Sequence, residues 1–85
     1  MFYFYVLQSL QDKDLYFEYT DNLLRRFKEH NAGKVTSTRD RRPLEIIYYE
    51  AYKSEKDARV REQQIKRRAK AFISLRRRFK NSLLE

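Results

Sequence analysis

The stretch Phe2-Tyr3-Phe4-Tyr5-Val6-Leu7-Gln8-Ser9 constrains the fold more than any other. It is aromatic and β-branched, and it is apolar at successive residues rather than at every second one. Side chains alternate across a strand, so this run reads as a strand from Phe2 to Gln8 buried on both faces. It carries no basic leader or small-residue cleavage site. It is also far shorter than the roughly 20 apolar residues of a membrane span.

The chain has 85 residues, with one Gly and one Pro, which implies one domain with short connections. A domain of this size buries only about 60–65% of its unfolded surface, so its core is thin. Seven Tyr and six Phe supply large apolar area per residue to that core. After the first strand, Leu10-Gln11-Asp12-Lys13-Asp14 reads as a turn and Leu15–Thr20 as a second aromatic strand, antiparallel to the first because the link is short. Thr20 or Asp21 is expected to cap a helix with Leu23, Leu24 and Phe27 as its apolar stripe, and Gly33 stops it. A basic polar loop leads to Pro43 and a third strand, Leu44 to Tyr52. Ser54-Glu55-Lys56-Asp57 resembles a capping box for a helix from about Glu55, which continues or breaks near Arg68. Phe72, Leu75, Phe79 and Leu83 then recur at helical spacing, which implies a basic helix over about 69–84. The expected fold is α+β (α/β in the broad sense): a small three-stranded antiparallel sheet flanked by helices, in the order β-β-α-β-α-α.

Absence of cysteine excludes disulfides and thiolate metal sites and fits a reducing, cytoplasmic compartment. The formal net charge is +8, and Lys66–Lys80 holds eight basic residues among fifteen and no acidic one. Such a field favours a polyanion, with nucleic acid ahead of a merely solvated face or a ribosomal or membrane-surface contact.

Helical phase marks the odd residues. At about 100° per residue, with Leu23 at 0°, Phe27 falls at about 40°, His30 at about 340° and Arg26 at about 300°. Arg26 and His30 therefore sit side by side at the edge of the apolar stripe, where a helix aims polar groups into a cleft. On the later helix, with Ala58 at 0°, Ile65 falls at about 340°, Ala69 at about 20° and Glu62 at about 40°. Glu62 thus lies within an apolar stripe, where a carboxylate must be paired, protonated or metal-bound. Tyr3 and Tyr5 share one face of the first strand, and Tyr16 and Glu18 one face of the second.

Taken in order, "YFYVLQS", "LYFEYT", "DNLLRRFKEHNAGK" and "TRDRRPLEIIYYEAYKSEKDARVREQQIK" resemble the segments of the GIY-YIG nuclease family, in its small single-domain bacterial branch, from about Tyr3 to Lys66. The resemblance implies a divalent-metal-dependent endonuclease that hydrolyses phosphodiester bonds of nucleic acid, DNA ahead of RNA. Relatives act on branched or damaged DNA in repair or recombination. It implies catalytic roles for Tyr5, Tyr16, Arg26 and His30, and one Mg²⁺ or Mn²⁺ held by Glu62. Tyr5 is the candidate base, with Tyr16 and His30 as alternatives. Arg25, Lys34, Arg39, Arg41, Arg42, Lys66, Arg67 and Arg68 are the expected nucleic-acid contacts, and a homodimer or helper protein would extend a small recognition surface. The chain departs from the pattern in both tripeptides. The first, Tyr3-Phe4-Tyr5, lacks Gly. In the second, Tyr16-Phe17-Glu18, Glu18 stands where the family carries Gly. Glu18 then either joins a metal site or repels phosphate, which would leave a non-cleaving DNA- or RNA-binding module on the same fold. A third possibility is an RNA-associated protein whose tyrosines stack bases.

Overall fold

The opening strand takes the centre of the sheet. In the computed structural model, which describes residues 1–83, β1 (Phe2–Ser9) pairs antiparallel with β2 (Leu15–Thr20) on one side and with β3 (Leu44–Tyr52) on the other, giving the order β2-β1-β3. The two-faced pattern of β1 explains the layering. Phe4 and Val6 pack with Ile65, Leu75 and Phe79 on one face, while Tyr5 and Leu7 pack with Leu44, Leu23 and Phe27 on the other. Residues Phe4 to Leu7 are all at most 1% exposed. Burying each side chain of this kind contributes about 1.5–3 kcal/mol, so β1 anchors both half-cores.

Helix α1 (Leu23–Asn31) lies on the Tyr5 face, whereas α2 (Glu55–Arg67) and α3 (Ala69–Arg78) lie on the Phe4 face. The element order and the antiparallel sheet agree with the sequence expectation. The helix ends differ from it in detail. Asn22, rather than Thr20 or Asp21, caps α1: its Oδ1 accepts the Arg25 N–H at 3.0 Å, while Thr20 Oγ1 accepts the N–H of Asn22 at 3.2 Å. Leu24, expected in the apolar stripe, is 61% exposed, because the apolar contacts of α1 with the sheet run through Leu23 and Phe27. Gly33 ends α1 as expected, at φ +78°. Its N–H donates to the His30 carbonyl, and the Lys34 N–H to that of Glu29. A Cβ at Gly33 would meet the Arg42 guanidinium at 2.8 Å.

Ser54 occupies the cap position of α2 without a side-chain bond to the helix, so the capping box is not made. The chain breaks at Arg68, whose extended backbone separates α2 from α3. The last helix was expected to reach about residue 84. It ends at Arg78, residues 79–82 form turns, and residue 84 lies outside the described residues. Between α1 and β3 runs a loop with one 3-10 turn, Arg39–Arg41. The Asn31 amide clasps its base by accepting the Leu44 N–H at 2.8 Å and donating to the Leu44 carbonyl at 2.9 Å. Ser9 Oγ donates to the Arg41 carbonyl at 2.6 Å and holds the loop against β1.

Candidate active site

Three elements bring polar groups together on the α1 face. Tyr5 points from the middle of β1, Arg26 and His30 project one turn apart from α1, and Glu18 extends from β2. Tyr5 Oη donates to Glu18 Oε1. Arg26 Nε donates to the same oxygen at 2.6 Å, and His30 Nε2 lies 3.3 Å from it and 3.0 Å from Tyr5 Oη. Local sequence explains the convergence. Tyr5 and Glu18 are register partners across β1 and β2, and the spacing of Arg26 and His30 puts both on the helix face above them.

Each donor is also fixed by a second contact. His30 is 3% exposed, more deeply set than the stripe-edge position that its phase implied. Its Nδ1 lies 2.7 Å from Thr38 Oγ1, on the loop, and Thr38 is 1% exposed. The single Tyr5 proton goes to Glu18, so Nε2 faces two acceptors and carries hydrogen. In the neutral ring Nδ1 then accepts from the Thr38 hydroxyl. Arg26 extends a second N–H to Glu29 Oε1 at 3.3 Å.

These contacts set the charge states. Burial pushes the Glu18 carboxyl up, but hydrogen bonds from His30, Arg26 and Tyr5 outweigh it and lower its pKa to about 2. Burial, reinforced by the adjoining carboxylate, pushes the Tyr5 phenol well above its usual range, which makes Tyr5 a hydrogen-bond donor in this arrangement. Burial and the Asp12 charge also raise Tyr16, against the opposing effect of Arg41.

A cavity of about 340 Å³ opens beside this cluster, lined among others by Tyr5, Tyr16, Glu18, His30, Thr38 and Lys66. Tyr16 therefore shares the hollow but is not among the donors to the Glu18 carboxylate. Glu62 does not enter it. Helix α2 packs on the opposite face, and the Glu62 carboxylate reaches the β2 backbone, where Oε2 accepts the Tyr19 N–H at 2.8 Å and Oε1 the Lys66 ammonium at 2.8 Å. Lys66 links the two places, because it pairs with Glu62 and also lines the cavity. Among the described residues, no three His, Cys, Asp or Glu side chains converge as a metal cluster. The donor chemistry at Glu62 nevertheless fits a hydrated Mg²⁺ or Mn²⁺, which takes one or two carboxylates and completes its shell with water and substrate phosphate. Each Glu62 oxygen keeps a free lone pair, and the Lys66 side chain is 51% exposed and able to withdraw.

The expected nucleic-acid contacts are all exposed. Several are held in place: Arg25 by Asp21 at 2.7 Å, Arg41 by Asp12 at 3.1 Å, and Arg42 by the Arg39 carbonyl at 2.7 Å. Lys34, Arg39, Arg41 and Arg42 belong to the loop that carries Thr38, while Lys66, Arg67 and Arg68 end α2. Sequence reasoning missed Thr38, because a threonine in a polar loop carries no signal of its own. It also missed Glu50, whose Oε1 takes Tyr52 Oη at 2.5 Å and Arg61 Nε at 2.9 Å, and whose Oε2 takes Tyr48 Oη at 2.7 Å and an Arg61 terminal nitrogen at 3.1 Å.

Known proteins share this arrangement of segments. Residues 1–80 match the sequence model of the GIY-YIG catalytic domain. A UPF0213 protein of Pediococcus pentosaceus is 42% identical over 71 residues, covering 82% of this chain and 74% of that one. A second, from Lactiplantibacillus plantarum, is 44% identical over 73 residues, covering 82% and 71%. The solution NMR structure of a UPF0213 protein from Bacillus halodurans matches with a TM-score of 0.52 at 31% identity, covering 88% of this chain and 85% of that one. No described helix is long and apolar enough to cross a membrane.

Proposed function

Because the chain belongs to the GIY-YIG catalytic-domain family of nucleases, we propose that it is a metal-dependent endonuclease that hydrolyses phosphodiester bonds in DNA. One observation carries the reading: Tyr5 Oη, Arg26 Nε and His30 Nε2 surround a single anionic oxygen. Phosphoryl and carboxylate oxygens accept the same charge-assisted bonds, so donors arranged for one serve the other. Arg26 offsets charge that builds on the phosphoryl oxygens, and Tyr5 donates a hydrogen bond beside it. Tyr5 is the candidate to take the proton of the attacking water, with Tyr16 and His30 as alternatives; burial raises both phenols, so a phenol base needs help from a neighbour or a bound ion. Glu62 would hold one Mg²⁺ or Mn²⁺, and a bound ion supplies polarisation of the phosphate and stabilisation of the leaving oxygen. The loop arginines and Lys66–Arg68 hold the backbone of the strand on either side of the cavity.

The reading extends to a single domain in a cytoplasm that keeps thiols reduced, acting on branched or damaged DNA in repair, with a second copy or a helper protein enlarging its recognition surface. A second reading, a module that binds DNA or RNA without cutting, draws on Glu18, whose charge stands at the family's glycine position. The test is incubation with branched and linear DNA in Mg²⁺ or Mn²⁺, beside Glu62→Ala and Arg26→Ala. Cleavage that both substitutions abolish supports the nuclease. Equal trace cleavage in all three proteins leaves the binding module.

A further inference from the structure

Glu18 has two possible meanings at the sequence level, an extra metal ligand or an obstacle to phosphate, and the geometry separates them. A metal shared by Glu18 and Glu62 would bring the two carboxylates together. Glu18 Oε1 instead takes Tyr5, Arg26 and His30, and Glu62, the candidate metal carboxylate, bonds Tyr19 and Lys66 rather than any member of this cluster. Each donor around Glu18 also has a contact that does not involve it. Arg26 stays paired with Glu29, His30 stays held by Thr38 and by Tyr5, and Tyr5 is packed in the central strand. Removing the carboxylate would therefore leave a preorganised receptor for one anionic oxygen, beside a cavity of about 340 Å³. The Glu18 side chain is itself 29% exposed and comes from an edge strand, so it has room to turn away from the cluster.

We propose that Glu18 is an internal anion occupying the phosphate position of this pocket, so that the chain holds its own site closed and a strand of nucleic acid enters only by displacing that side chain. The proposal rests on the reading that phosphate is the anion these donors serve. Nucleic acid then binds first on the exposed basic residues and reaches the Arg26 cluster second. A step of this kind couples access to the strength of surface binding, because the phosphate only replaces the three bonds that Glu18 gives up, and the surface contacts supply the remaining drive.

The experiment measures inorganic phosphate binding, without metal or DNA, by titration calorimetry and by the NMR shift of the His30 ring protons. Wild type, Glu18→Gly, Glu18→Gln, Glu18→Gly with Arg26→Ala, and the charge control Glu55→Gln are compared. Both single Glu18 variants are expected to bind phosphate at least about tenfold more tightly than wild type, with the His30 ring responding. Arg26→Ala should cancel the gain, and Glu55→Gln should give none. Phosphate affinity in both Glu18 variants equal to wild type, or an equal gain in Glu55→Gln, overturns the proposal. Should Glu18→Gly fail to fold, Glu18→Gln, which keeps the side-chain volume, decides alone. Cleavage assays on the same proteins keep the two readings apart. A phosphate gain with no cutting by any variant sustains the internal anion and removes the nuclease. Faster cutting by Glu18→Gly with unchanged phosphate affinity sustains the nuclease and removes the internal anion.

Discussion

The sheet carries a glutamate ringed by tyrosine and arginine on each of its faces, and the two rings differ in how the donors are shared. Around Glu50 the partners are divided between both oxygens, with Arg61 forked across them and one tyrosine on each. Around Glu18 all three donors meet at Oε1. The sources differ too. Tyr48 and Tyr52 flank Glu50 on its own strand, and Arg61 comes from the helix that follows. Tyr5 comes from β1 and both Arg26 and His30 from α1, elements apart from the strand that carries Glu18, with His30 backed by a loop threonine. A fork onto neighbouring partners is a clamp, and it fixes α2 to β3. Donors from distant elements that converge on one point form a receptor. The same residue types therefore serve packing on one face and chemistry on the other, and a ring of donors alone does not identify a site.

The largest effect that sharpens this contrast is loss of the clamp. Glu50→Ala leaves Arg61 facing the sheet without its counter-charge and should cost about 3 kcal/mol or more. In a chain of this size that lowers Tm by about 4–8 °C per kcal/mol, which a thermal melt followed by circular dichroism reads directly. If Glu50→Ala melts like wild type, the clamp is not structural and the contrast fails. Arg26→Ala should do the reverse. Its Tm should move little, because the side chain is 32% exposed, while cleavage of DNA should fall about 10²- to 10³-fold, the usual loss for one donor to a developing oxyanion. A large Tm loss with unchanged cleavage would exchange the two roles. Thr38→Val removes the partner of the buried His30 Nδ1 and should cost about 1–3 kcal/mol in urea unfolding, with cleavage reduced as well. An unchanged midpoint would show that His30 does not depend on the loop.

The smallest effect is a difference in acid sensitivity. The Glu18 carboxyl falls from its ordinary 4.5 to about 2 in the folded chain. Between those values the unfolded chain binds more protons, so the stabilisation from Glu18 is complete above about pH 5 and is lost as pH falls toward 2. Glu50, where Arg61, Tyr52 and Tyr48 outweigh the upward push of burial, is lowered as well and adds with the same sign. Glu18→Gln should therefore show a smaller drop in Tm than wild type between about pH 5 and pH 3, and the remaining slope belongs to Glu50 and the other carboxylates. Parallel slopes in the two proteins would mean that Glu18 is not held ionised by its three donors.

Much of this was written in local pattern. The two-faced run of β1 specifies the layered sheet, and helical phase alone picks out Arg26 and His30. Phase also marked Glu62 as misplaced for packing, and its carboxylate does find fixed partners. What phase could not supply was direction across the sheet: it put Glu62 on an inward stripe but not on the face opposite Tyr5. Local pattern also failed where a bond joins elements distant in the chain. Thr38 meets His30 only because the loop folds back, and Glu50 reads as an ordinary exposed strand residue until Arg61 arrives from α2. The cap at Asn22 was missed for a smaller reason. Three successive residues, Thr20, Asp21 and Asn22, all have capping side chains, and propensity does not choose among them.

The central position of β1 has a consequence for how the chain is made. The strand leaves the ribosome before its partners and finds β2 within a few residues, but its other edge stays bare until β3 follows more than thirty residues later. At about 5–20 residues per second, several seconds pass during which an uncharged aromatic edge, free of glycine and proline, stays unpaired. Newborn chains should therefore be most at risk of intermolecular strand pairing in that interval, and the yield of soluble protein should depend more on the speed of translation than on the final stability of the fold.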